Sequence, residues 1–123
     1  MTVDVAKDSE HRLHDGNGLV LLDRLRFARS TRTRVKGLLG RRSLEPGEGL
    51  AFKERSVHTF FMRMPIDVVF LDRDLRVVKV AARVGPWRVA GAKGARYVIE
   101  IAPGRAAELG VAEGAKLAME PPP

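Results

Sequence analysis

Apolar and polar residues alternate along most of this chain with the two-residue period of half-buried strands, and turn residues break the alternation at short intervals. Gly16-Asn17-Gly18 is turn chemistry, and the apolar run Leu19 to Leu22 after it predicts a strand. Leu25, Phe27 and Ala28 against Arg24, Arg26 and Arg29 predict a second strand. Ser30 or Thr31 is placed to cap a short helix carrying Val35, Leu38 and Leu39 on one face, with Gly40 at its end. The loop Glu45 to Gly49 leads into a short strand, Leu50 to Phe52. Val57 to Met64 has strand composition until Pro65 interrupts it, because proline lacks the N–H that a ladder needs.

The hairpin is the clearest local pattern. Ile66 to Leu71 is nearly all apolar, Asp72-Arg73-Asp74-Leu75 is a tight polar connection, and Val77 to Ala81 returns. Gly85-Pro86-Trp87 opens a loop that runs through Gly91 and Gly94 to a strand at Tyr97 to Ala102. Ala106 to Leu109 has room for about one helical turn before Gly110, and Lys116 to Met119 fits a last edge strand. The sum is a β-rich α+β chain. Residues 1–18 mix both charge signs without an apolar run and are expected to form a flexible tail; 19–119 form one domain; 120–123 end in three prolines and are expected to trail away.

Composition narrows the chemistry. At 123 residues the chain has the length of one domain, and 45% hydrophobic residues are enough for a core. No cysteine is present, so thiolate metal sites, disulfides and cysteine nucleophiles are excluded, and imidazole comes only from His11, His14 and His58. His11 and His14 lack a third ligand at a useful spacing, and neither a metal nor any other cofactor is expected. No G-x-S-x-G, P-loop or G-x-G-x-x-G motif occurs. Neither an export signal nor an apolar run of membrane-spanning length is seen, which predicts a cytoplasmic protein.

The net charge of +7 is uneven: residues 24–55 hold ten Lys/Arg against three Glu. Arg29, Arg32, Lys36 and Arg42 there, with Arg88, Lys93 and Arg96 in a second stretch, form a candidate basic surface for an anionic ligand or a protein partner. A solvated face of a basic domain has the same composition. Weak non-specific nucleic-acid binding is a further alternative: the charge favours it, while one Trp, one Tyr and five Phe, several of them needed by the core, make a thin aromatic complement, and specific recognition is not expected. Trp87, next to Arg88, is either an exposed anchor or a ring closing the core.

Arg34, Arg41, His58, Arg63, Asp67 and Glu100 make up a candidate polar cluster, either ligand-holding or structural. Asp67 and Glu100 lie inside the most apolar strands, so each needs a partner if buried, and Arg34 is the first candidate for Asp67. On a regular strand His58, Phe60, Met62 and Met64 share one face, with Phe61 and Arg63 on the other. A binding or accessory module is favoured; the competing reading is an enzyme with a polar cleft near His58, Asp67 and Glu100.

Four stretches in order, ARSTRTRVKGLLGR from 28 to 41, GLAF from 49 to 52, SVHTFFMRMPIDVVFLDRDLRVV from 56 to 78, and YVIEIAPGRAAELGVAEG from 97 to 114, resemble the domain of unknown function 192 family, also called uncharacterised protein family 0127. The resemblance implies a compact, barrel-like α+β single domain with one or two short helices. It implies no activity, since the family has none assigned. Gene neighbourhoods in the family hint at a secretion or pilus-assembly partner. Leu39 stands where methionine is usual, Phe61 where tryptophan is, and Ala115 where the tail usually has aspartate. Exchanges among large apolar residues imply that positions 39 and 61 pack.

Overall fold

The computed structural model describes residues 8–29 and 41–123. The expected helix after Ser30, and with it Arg32, Arg34 and Lys36, lies outside those residues. Nine strands and one short helix are described: β1 (Ser9–His14), β2 (Val20–Phe27), β3 (Glu48–Phe52), β4 (Ser56–His58), β5 (Ile66–Leu71), β6 (Val77–Val84), β7 (Val89–Gly91), β8 (Tyr97–Ile101), α1 (Arg105–Glu108) and β9 (Ala118–Glu120). Seven strands form one curled, half-barrel sheet in the order β6-β5-β8-β3-β2-β1-β9, and β4 pairs with β7 as a separate ribbon. All ladders are antiparallel except β2–β3.

Curling follows from how the outer strands are tied. The segment before β9 reaches across to the start of β6, with Val77 N–H donating to Ala115 C=O at 2.8 Å and Leu117 N–H to Leu75 C=O at 2.9 Å. Bridging of this kind covers exposed edges that would otherwise invite pairing with other chains. The enclosed side is filled by Leu13, Leu22, Leu25, Phe27, Val69, Leu71, Ile99, Ile101 and Met119, drawn from strands all round the sheet. On the other side Leu50, Phe52, Ile66, Val68, Phe70 and Val98 pack beneath Val57 of β4 and the side chains of Met62 and Met64. β3 can lie tight against the first core because of Gly49: a β-carbon there would meet Leu22 Cδ1 at 2.9 Å.

Four expectations change. The N-terminal stretch is not a free tail, since β1 pairs with both β2 and β9 and buries His11 and Leu13. His11 is held by Ser9 Oγ at 2.6 Å and by the Pro121 carbonyl, which ties the expected C-terminal tail to the sheet as well. The two strands expected between 19 and 29 are one, and the long loop after Gly85 contains β7. The hairpin Ile66–Leu71/Val77–Val84 forms as expected, its turn fixed by Asp72 accepting the amides of Asp74 and Arg76 at 2.9 and 3.0 Å. Those two backbone hydrogen bonds, led by the one from Arg76, hold the Asp72 carboxyl below its ordinary range.

Candidate functional site

The polar cluster expected around Asp67 does not converge. Residues directly opposite each other in an antiparallel ladder project to the same face. Asp67 stands opposite Ile101, while Glu100 stands opposite Val68 and Leu50, so the two acids lie on opposite faces of the sheet. Fully buried, Asp67 accepts three backbone amides: Oδ1 takes those of Arg83 at 2.8 Å and Gly104 at 3.0 Å, and Oδ2 takes that of Ala106 at 2.9 Å. It therefore caps the start of α1 from a neighbouring strand and pins a bulge in β6 where Arg83 has φ 51°. Gly104, at φ 81°, is the N-cap of α1, and a β-carbon there would lie 2.7 Å from the Arg83 guanidinium. The described partners of Asp67 are thus amides rather than the arginine expected from sequence; Arg34 lies outside the described residues. Glu100 is buried on the other face and is likewise engaged.

Arg41 is also accounted for. Its two terminal nitrogens reach the two oxygens of Glu48, each at 2.7 Å. This fork holds the Glu48 carboxyl below its ordinary range, chiefly through the Arg41 hydrogen bonds. Among the basic-surface residues Arg29 lies over the Phe27 ring and reaches Ser9 Oγ, while Arg42 is exposed.

His58 and Trp87 share a site that neither resemblance nor spacing indicated. β4 stops at His58 because Thr59 turns inward and becomes a node between two loops. Thr59 N–H donates to Arg88 C=O at 2.8 Å, Thr59 C=O accepts Trp87 N–H at 3.0 Å and Met62 N–H at 3.2 Å, and Thr59 Oγ1 donates to Gly85 C=O at 2.6 Å while accepting Arg88 N–H at 2.8 Å. Thr59 is fully buried. Around it the aromatic side chains turn outward. His58 stacks on Phe60 with ring centres 4.8 Å apart, Phe60 stacks on Trp87 at 5.6 Å, and Phe61 meets Trp87 edge-on at 4.7 Å. Phe61 is 68% exposed, Trp87 55% and the adjoining Val89 68%. The expectation that position 61 packs in the core is therefore corrected: Met62 and Met64 take the buried places and Phe61 stands in solvent.

The backbone makes this arrangement costly. Phe61 and Trp87 have φ of 65° and 62°, a conformation that bulky residues seldom adopt and that costs on the order of 1–3 kcal/mol apiece. Arg63 and Arg88 flank the rings, exposed and without an ion pair among the described residues. Lys93 and Arg96 are exposed beyond the far end of β7. The sequence has no acid between Glu54 and Asp67, nor between Asp74 and Glu100, so the ribbon strands hold no acid or Lys/Arg and the loops at their ends, at Arg55, Arg63, Arg88 and Lys93, hold cations. Among the described residues no group of three metal-ligating side chains comes together, and no helix is long and apolar enough to cross a membrane.

Fold and site together define a β-rich half-barrel domain that displays an aromatic, cation-flanked surface on an added two-stranded ribbon. The chain belongs to the domain of unknown function 192 family: the sequence profile described as "Uncharacterized ACR, COG1430" matches residues 6–119. It is 52% identical over 46 residues to a UPF0127 protein of Pyrococcus horikoshii, covering 37% of this chain and 39% of that one. It is 38% identical over 74 residues to a UPF0127 protein of Pyrococcus abyssi, covering 54% of this chain and 62% of that one, so each match spans less than two thirds of the relative. A crystal structure of a protein of unknown function from Novosphingobium aromaticivorans superposes with a TM-score of 0.74 at 28% identity, over 89% of this chain and 84% of that one. A proposed transcription regulator from Sinorhizobium meliloti gives a TM-score of 0.77 at 23% identity, over 93% of this chain and 95% of that one, a likeness of fold alone.

Proposed function

We propose that this protein is a non-enzymatic binding module whose working surface is the aromatic patch of His58, Phe60, Phe61 and Trp87 between Arg63 and Arg88. The observation that carries this reading is the left-handed backbone at Phe61 and Trp87, two large apolar side chains held in solvent by a fully buried threonine. Leu75 and Arg83 take the same conformation in structural turns, so what points to a use is the outward aim of two large rings that core packing would place inward. Exposed aromatic residues grouped beside unpaired arginines supply contact area with little side-chain entropy to lose, as in binding surfaces generally. The competing enzymatic reading lacks a common cleft: Asp67 and Glu100 are on opposite faces, and His58 points away from the core that Val57 enters.

Trp87 is the only tryptophan, so its emission reports on this patch directly. Titration with three anionic probes, a dodecamer of thymidylate, polyglutamate and anionic phospholipid vesicles, is expected to change the intensity or wavelength of Trp87 emission with at least one of them. An unchanged spectrum with all three at low salt overturns the reading.

A further inference from the structure

Resting on that reading, we propose that the patch and its ribbon bind single-stranded nucleic acid, with the rings of Phe61 and Trp87 stacking on bases and Arg63 and Arg88 meeting phosphates. Three features choose this ligand among polyanions. The first is the ring ladder. His58, Phe60 and Trp87 lie nearly parallel, at 28° and 27° between successive planes, and the ladder ends at the exposed rings of Trp87 and Phe61. A base has a flat π-face that can add to such a stack, whereas an acidic peptide offers charge and leaves the rings in water.

The second is the pairing of ring and cation along the chain. Trp87 is followed at once by Arg88, and Phe61 is two residues before Arg63, so each exposed ring has an exposed arginine within two residues of it along the chain. A nucleotide needs both a stacking surface and a phosphate partner, and guanidinium suits phosphate through its forked donors. The third is the length of the charged surface. Between the turns that hold Trp87 and Lys93, the three residues of β7 span roughly 10 Å. Arg55 and Lys93 are exposed at its far end, where Ala92 N–H donates to Arg55 C=O at 3.1 Å. Arg88 at one end of the ribbon and Arg55 and Lys93 at the other, with Glu54 the one acid beside them in the chain, fit more than one phosphate better than a single small anion. Single strands are favoured over duplexes because surface rings can stack only on bases that are not already paired and stacked.

The test uses the full chain and fluorescein-labelled dodecamers of thymidylate and uridylate, read by anisotropy, with Trp87 emission followed in parallel. Binding is expected with both oligomers, with Trp87 quenching at saturation. The logarithm of affinity should fall with the logarithm of salt with a slope of about −0.7 per phosphate contact, so Arg63→Gln/Arg88→Gln should flatten it by about 1.4. Phe61→Ala should weaken binding by about fivefold or more while leaving the salt slope unchanged. A duplex of the same length should bind more weakly than either single strand. If polyglutamate or anionic vesicles move Trp87 emission and the oligomers do not, the nucleic-acid inference is wrong and the patch remains a binding surface. Should oligomers bind with no Trp87 quenching and equal affinity for Phe61→Ala, the site is elsewhere and the inference fails too. All the substituted residues are exposed, and the quenching of the unaltered chain decides the matter even if a variant folds poorly.

Discussion

Asp67 and Thr59 are both fully buried polar residues in apolar surroundings, and each does its work by accepting or donating hydrogen bonds to backbone. For Asp67 the partners are three amides that the local ladder and the first turn of α1 leave unpaired. Asp67→Asn keeps size and shape but turns one oxygen into an NH2 group, so at least one of those amides faces a donor. A buried group left in that state costs about 1–3 kcal/mol. Urea melts should therefore show Asp67→Asn destabilised by that amount, whereas equal or greater stability would mean that the carboxylate is kept for a ligand and not for the fold. At this scale the sequence was informative about burial and silent about partners. An acid within Met-Pro-Ile-Asp-Val-Val had to be satisfied, but nothing in the letters near Asp67 shows that Arg83, Gly104 and Ala106 supply the bonds, since backbone amides carry no sequence signature.

Among the elements, the β5–β6 hairpin was legible because strict apolar patterning and a polar tetrapeptide turn sit next to each other in the chain. β1 was not, because only His11 and Leu13 face inward and one of them is a polar residue type. The β4–β7 ribbon was missed for another reason: its strands are three residues each and pair across about thirty intervening residues, with no period long enough to detect. The same distance hid the site: His58 and Arg63 were grouped with Asp67 and Glu100 while Trp87 stood apart beside Arg88, and the meeting of the His58 and Trp87 loops depends on Thr59. Thr59→Val tests that dependence. It removes the hydroxyl at nearly constant volume and strands the Gly85 carbonyl and the Arg88 amide, for an expected loss of about 1–3 kcal/mol in a denaturant melt. The ribbon should loosen with it, so amide exchange at Trp87 and Arg88 should speed up while exchange in β5 and β8 stays slow; uniform acceleration across both would show that Thr59 serves the core rather than the loops.

Taken as a whole, the molecule separates stability from display. The curled sheet fills its interior with side chains from strands all round and ties its outer strands together through residues 114–117, while the ribbon on the outer face covers the second core with Val57 and turns His58, Phe61 and Trp87 to solvent. Positive charge in the ribbon's loops has Glu54 as the one acid beside it in the chain, whereas Arg24, Arg41 and Arg105 elsewhere are paired with Glu45, Glu48 and Glu108. On the proposed reading the ligand meets this molecule at the aromatic patch and not at the basic stretch around residues 24–55. Amide chemical-shift mapping of the isotopically labelled chain, titrated with the thymidylate dodecamer, tests it most directly. Shifts are expected to concentrate at residues 57–63 and 85–91, together with the Trp87 indole N–H; shifts confined to residues 24–29 and 41–55 with the Trp87 indole unmoved would contradict it.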